Sequence, residues 1–227
     1  MDPLTSPPSL IDQVYQRLVD AIADGSLAPN ERITQGELAH RLAVSRQPIS
    51  HALQLLKRQG LVVEEGRRGL VVAPVRAEQI LNLYQVRAAL DGLASRLAAA
   101  RVRKGDADPQ EVGALKACFT AGRSLRDSAS VHEWIEADVA FHSAIHILSG
   151  NSAIGETAAD RWPHFKRGMG MALVKRERQK SVWVEHGDIY RRIMAGDPIG
   201  AEKAAIGHLQ KAGAQLYAEL SAQTNGA

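Results

Sequence analysis

Cysteine, aromatic residues and long apolar runs are all scarce in this chain of 227 residues, and each shortage removes a class of protein. The single cysteine, Cys118, excludes an internal disulfide framework and points to a reducing cytoplasm. It lies in an apolar helical run and reads as a structural thiol rather than a nucleophile. Aromatics make up 4% of the residues, so the core must be built from Leu, Ile, Val and Ala. That mixture favours helix-on-helix packing over an all-β fold. No segment approaches the roughly 18 uninterrupted apolar residues of a membrane span, and the N-terminus lacks a basic stretch followed by an apolar one. The expectation is a soluble cytoplasmic protein with no membrane partner. Charge of one sign is not in large excess either: the net charge of +3 permits a polyanionic partner without requiring one. Where the charges fall has to decide.

The chain reads as two units behind a short arm. Residues 1–9 are rich in Pro and Ser and form a flexible arm. From Ser9, apolar residues at 10, 11, 14, 15, 18, 19 and 22 trace an amphipathic helix that stops by Gly25. Thr34, with Glu37 three residues on, is the pattern of a capping box opening a short second helix that carries Leu38, Leu42 and Val44. A third helix follows after a tight turn through Ala43-Val44. Ser45 is placed to cap it, Pro48 is tolerated in its first turn, and Gly60 stops it. Leu61 to Glu65 and Leu70 to Ala73 then flank Gly66-Arg67-Arg68-Gly69, which predicts a hairpin. Residues 10–75 therefore make a winged helix-turn-helix. Residues 76–223 are helical almost throughout, with five to seven helices and breaks near 105–109, 128–130, 150–152 and 196–198. The fold class is mainly α.

A short helix, a tight turn and a second helix set one helix across a phosphate backbone and the next in the major groove. The basic residues suit that docking. Arg41, Arg46, Lys57 and Arg58 lie on or beside the two helices, and Arg67 and Arg68 lie at the hairpin tip, where a wing reaches phosphates or the minor groove. Arg46 and Gln47 start the recognition helix, where Arg can bind guanine with two hydrogen bonds and Gln can do the same with adenine. Ser45 and Ser50 can reach phosphate or base. Double-stranded DNA is the predicted partner.

The run Gly25-Ser26-Leu27-Ala28-Pro29, Leu38-Ala39, Ser45 through Leu53, Gly60-Leu61-Val62 and Gly66-Arg67-Arg68-Gly69 resembles the N-terminal domain of GntR-family regulators over about residues 10 to 75. Ser50 and His51 depart from it, since family members usually carry Arg and Glu there, so an operator sequence cannot be carried over from relatives.

In the second unit, Asp138 and His142 are four residues apart, which puts a carboxylate and an imidazole on one helix face within reach of one ion. His186 and His208 lie on two later helices, and spacing alone does not bring them to the same interior. The segments Asp138-Val139-Ala140-Phe141-His142, Ser149-Gly150-Asn151, Glu185-His186, Ala195-Gly196-Asp197 and Gly207-His208-Leu209 resemble the FCD ligand-binding domain of the FadR-type branch over about residues 77 to 220. The resemblance implies a helical bundle in which Asp138, His142, His186 and His208 bind a divalent metal, with Zn, Ni and Mn all open. It also implies a small carboxylate effector that completes the coordination, and a homodimer acting as a repressor. His146, one turn beyond His142, is a rival ligand. Arg87 matches an Arg that faces the effector in this family, and its bland alternative is an i,i+4 ion pair with Asp91, where relatives usually carry Glu. Asn151 either caps the next helix or touches ligand. Trp134, Trp162 and Trp183 are core or cavity residues, and Arg161 and Arg167 are further carboxylate candidates by position.

The rival from another class is a metal-dependent hydrolase that uses the Asp/His cluster to activate water. It accounts for the cluster and not for the N-terminal unit. The chain shows no nucleophile elbow, phosphate loop or glycine-rich nucleotide fingerprint, so no enzyme activity is expected. A third option is a purely structural metal with no effector.

Overall fold

The computed structural model describes residues 9–66, 69–159, 161–173 and 176–225, and the chain divides between Val75 and Arg76 into two units. Of the arm expected at residues 1–9, residues 1–8 lie outside the described residues, as does the chain beyond residue 225, while Ser9 belongs to the start of the first helix.

In the first unit, Ser9 starts helix α1 (Leu10–Ala23) through a capping box, its hydroxyl accepting from the Asp12 amide while the Asp12 carboxylate accepts from the Ser9 amide. Helix α2 (Gln35–Arg41) begins with the forward half of the expected box, the Thr34 hydroxyl accepting from the Glu37 amide at 3.2 Å. The turn into α3 (Arg46–Arg58) puts Ala43 at φ 52, a left-handed conformation that costs an L-residue roughly 1–2 kcal/mol. Ser45 occupies the N-cap of α3 but makes no side-chain capping bond, contrary to expectation.

Strands β1 (Val62–Glu64) and β2 (Leu70–Val72) pair antiparallel with Val63 opposite Val71. A third piece of chain joins this ribbon: Arg32 bridges to Val71, and the Ile33 amide donates to the Leu70 carbonyl at 2.8 Å. A single bridge in a polar stretch has no alternating pattern, so the sequence held no signal for it. Ile49, Ala52, Leu56, Leu61, Val62 and Val72 form the centre of this unit's core.

In the second unit seven helices are present among the described residues: α4 (Ala77–Lys104), α5 (Pro109–Arg123), α6 (Val131–Leu148), α7 (Ser152–Ala159), α8 (Trp162–Ala172), α9 (Arg176–Met194) and α10 (Pro198–Asn225). The breaks before α5, α6, α7 and α10 fall where the sequence placed them. The boundaries between α7 and α8 and between α8 and α9 carried no Pro or Gly cluster to mark them. Long helices α4 and α10 pack side by side, and α6 lies against α4, α5 and α8. Close approach depends on a small residue at Gly122: a Cβ there would stand 1.9 Å from the Trp183 ring. Phe141, Leu115, Leu148, Ile189 and Ile193 fill the interior.

Candidate metal centre and nucleic-acid interface

Helix α3 buries Pro48, Ile49, Ala52, Leu53 and Leu56. By helical periodicity the opposite face then consists of Arg46, Gln47, His51, Gln54, Lys57 and Arg58, all exposed, with Ser50 half-buried at its margin. Gln54 was not singled out in the sequence and His51 only as a departure from the family pattern, although the apolar spacing of the buried face defines their position. Lys57 is engaged with Glu64 of β1 at 2.7 Å, so one of the expected phosphate contacts faces a competing carboxylate. The exposed N-terminal end of α3 has no acidic residue in its first turn, and Ser45 leaves its hydroxyl uncommitted to the cap. Free amides and the positive end of the helix dipole there suit a phosphate. The wing-tip residues Arg67 and Arg68 lie outside the described residues.

In the second unit, Asp138 and His142 project from one face of α6, His186 comes from α9 and His208 from α10. Their ligand atoms all lie within 4.8 Å of one another, and all four residues are buried. His186 Nε2 stands 3.3 Å from both His142 Nε2 and His208 Nε2, and 3.4 Å from Asp138 Oδ1. Donors held about 2.0–2.1 Å from a tetrahedral zinc ion would be about 3.3–3.4 Å apart, so the donor spacing fits such an ion.

The surrounding shell sets the tautomers. His142 Nδ1 lies 2.8 Å from Asp91 Oδ2 and His208 Nδ1 lies 2.7 Å from Glu185 Oε2. Each carboxylate draws the ring proton to Nδ1 and turns the Nε2 lone pair toward the centre, the arrangement that supports metal-bound imidazoles. Burial, with Arg87 nearby, depresses the His142 pKa, and burial, with the neighbouring His208 and His142, depresses that of His186 much further. The Nε2 lone pairs turned toward one centre repel one another unless a cation joins them.

Two carboxylates, Asp91 and Asp138, face a single guanidinium, Arg87, which leaves an excess of negative charge for a divalent ion. Burial pushes the Asp91 carboxyl up, but His142, His146 and Arg87 outweigh it and hold it well below the usual carboxylate range. Glu185 is likewise raised by burial yet held at about 2 by its hydrogen bonds with His208 and Lys211.

His146 is not part of this cluster among the described residues. Its Nε2 turns to Asp91 Oδ1 at 2.5 Å, so the rival ligand sits one layer out. Asp91 thereby spans two histidines of α6, a role that the sequence pattern of an i,i+4 ion pair did not disclose.

The comparisons with known proteins cover both units. The model of the FCD domain matches residues 82–211, and that of the bacterial regulatory proteins of the gntR family matches residues 10–72. The chain belongs to the GntR family. This GntR chain is 25% identical over 208 residues, 90% of each protein, to the HTH-type transcriptional regulator YdhC of Bacillus subtilis. It is 33% identical to the Nta operon transcriptional regulator of Aminobacter aminovorans over 57% of this chain and 59% of that one. Among solved structures, E. coli McbR/YncC superposes with a TM-score of 0.78 at 20% identity, covering 93% of this chain and 98% of that one. A transcriptional regulator from Rhodococcus sp. RHA1 gives 0.76 at 23% identity over 91% and 96%. At such identities these two structures establish the fold. The GntR chain is thus a DNA-binding transcriptional regulator with an FCD domain, in a family of regulators and not of enzymes. No described helix is long and apolar enough to cross a membrane.

The remaining candidates of this GntR chain separate into two groups. Arg87 is 2% exposed and contacts Asp138 Oδ2 at 3.1 Å. Its pairing with Asp91 is present too, at 3.5 Å, but in a buried network rather than as a solvated helix pair. Trp162 and Phe165 lie over its guanidinium at 5.0 and 5.1 Å, a cation–π cradle. Asn151 stays apart from the cluster: its amide donates to the Ser149 hydroxyl at 3.2 Å and its carbonyl accepts from Ile154 as α7 begins. Trp134 and Trp183 are buried in the core, Arg161 is exposed, and Arg167 is buried, its pKa brought down to about 10 by desolvation.

Proposed function

We propose that this regulator is a homodimeric repressor of the FadR-type branch, whose operator affinity is set by a small organic acid bound beside a divalent metal ion in the FCD domain. The observation that carries the reading is the convergence of three imidazole Nε2 edges and the Asp138 carboxylate in a buried pocket. Asp138, His142, His186 and His208 would hold the ion, and a set of three nitrogens and one oxygen suits Zn, Ni or Mn. When bound, it supplies fixed positive charge for an organic acid's carboxylate.

Arg87, Arg178, Asp138 and His208 line a cavity of about 20 Å³, room for roughly one water molecule. An acid larger than that binds only when the cavity walls part. Such a ligand favours one state over another, which is the requirement for shifting an equilibrium between them. At the other unit, Arg46 and Gln47 read bases, Ser45 and Ser50 hold phosphate or base, and Arg67 and Arg68 extend the contact through the wing. Two copies on two half-sites would place recognition helices about 34–36 Å apart, or a multiple of that.

The test is to select duplexes from a random library with zinc-loaded protein, then to measure affinity for the winning duplex by fluorescence anisotropy. Chelation and a panel of small carboxylic acids are applied in turn. The expected result is a two-half-site duplex from which one acid lowers affinity about 5- to 150-fold, in the presence of metal only. Identical affinity with and without metal, and under every acid, would overturn the sensing part of the proposal.

A further inference from the structure

A second cavity, of about 310 Å³, opens between the end of α5 and the middle of α9, with α6 beneath it. It shares no lining residue with the small cavity beside Asp138. Its volume falls at the lower end of the roughly 300–1,000 Å³ typical of small-molecule sites. Phe119, Trp134 and Trp183 give it aromatic walls, and Arg123, Lys180 and Arg191 surround it with positive charge. Asp127 is the one carboxylate in the lining, and it is engaged by Lys180 at 3.0 Å. Gly187 contributes no side chain to the floor: a Cβ there would stand 3.3 Å from the Arg191 guanidinium and 3.6 Å from the Phe119 ring. Flat apolar walls under a cationic rim select a planar body that carries a negative group.

These walls also support one metal-ligand residue. His142 and His208 are each oriented by a carboxylate, whereas His186 Nδ1 has no hydrogen-bond partner among the described residues. Ring packing holds it instead. Trp183 stands edge-on to His186 at 4.7 Å, and Phe141 stacks on it at 4.5 Å. Phe119 in turn leans on both Phe141 and Trp183, at 6.2 and 6.3 Å. A molecule seated against Phe119 and Trp183 therefore bears on the rings that aim His186.

We propose that this groove binds a small aromatic carboxylate at a site separate from the metal centre, and that its occupancy is coupled to metal binding through Trp183 and Phe119. The coupling clause rests on the metal reading above; the binding clause does not.

Isothermal titration calorimetry of the full chain with 1-naphthoate, in chelated and in zinc-loaded form, tests both clauses. Saturable one-site binding to the chelated protein is expected, with none for the cationic counterpart 1-naphthylmethylamine. The double variant Arg123→Gln/Arg191→Gln should bind naphthoate about tenfold more weakly, since two charge-assisted contacts are lost. Gly187→Leu, which fills the floor, should abolish binding; the surface Arg variant keeps the test meaningful if filling disturbs α9. Saturating naphthoate should change zinc affinity about fivefold or more, and zinc should change naphthoate affinity by the same factor. No binding to chelated protein at millimolar naphthoate, equal binding of the amine, or unchanged affinity in the double variant would overturn the site. Naphthoate binding without any zinc binding would overturn the coupling and the metal reading while leaving the site in place.

Discussion

Between Ser9 and Val75 every buried position among the described residues is apolar and the charges lie outside, whereas the helical unit encloses Arg87, Asp91, Asp138, His142, His146, His186 and His208. The two units use their interiors for different purposes. In the winged helix-turn-helix the core only holds the shape, and the candidate recognition residues sit on the outer face of α3. In the FCD domain the interior itself holds the candidate site, and helices α4, α6, α9 and α10 are positioned around a polar centre. Burying that many polar groups is costly unless each finds a partner, and the three convergent imidazole edges would find theirs in the cation proposed for this site.

The contrast can be broken from either side. The largest expected effect is in the first unit: Leu56→Ala, at a fully buried position, should cost about 2–5 kcal/mol of unfolding free energy. Denaturant titration should give the same loss with metal present or chelated, because that core holds no metal ligand. Next, Asp91→Asn should weaken zinc affinity about 10- to 100-fold in competition with a chromophoric chelator, since it removes the carboxylate that orients His142. A loss of thermal stability with zinc affinity unchanged would make Asp91 a structural residue only. Arg46→Ala should weaken binding to the selected duplex by about 1–3 kcal/mol and leave the melting temperature alone, because this side chain is exposed. The smallest effect is at the turn before α3: Ala43→Gly relieves a left-handed alanine and should raise stability by roughly 0.5 kcal/mol after the added chain entropy is counted.

The same contrast explains what could be read from the sequence. The recognition face of α3 is local: Ile49, Ala52, Leu53 and Leu56 define its buried side, so Arg46 and Gln47 could be placed outside from spacing alone. The hairpin was equally readable, because Gly66 and Gly69 bound two β-branched runs. Asp138 and His142 were legible as one helix face for the same reason. His186 and His208 were not, because periodicity along one helix says nothing about which face meets another helix, and a family resemblance had to supply them.

The supporting groups were harder still. Asp91 looked like a solvated partner for Arg87 and instead joins Arg87, His142 and His146 in a buried network. Glu185 was visible only as the neighbour of His186, yet it serves His208 on another helix. The Ser45 cap failed the other way: the residue type was right for a cap and the bond is not made.

The central claim is that Asp138, His142, His186 and His208 hold a divalent ion, and metal analysis of the purified full chain beside the double variant His142→Ala/His186→Ala tests it most directly. Wild-type protein should carry one ion per chain after dialysis and lose several degrees of melting temperature on chelation, in line with the loss of a ligand bound only by the folded state. The variant should carry none and be indifferent to chelator. Equal metal content in both proteins, or a wild-type melting temperature unmoved by metal and chelator alike, would contradict the account.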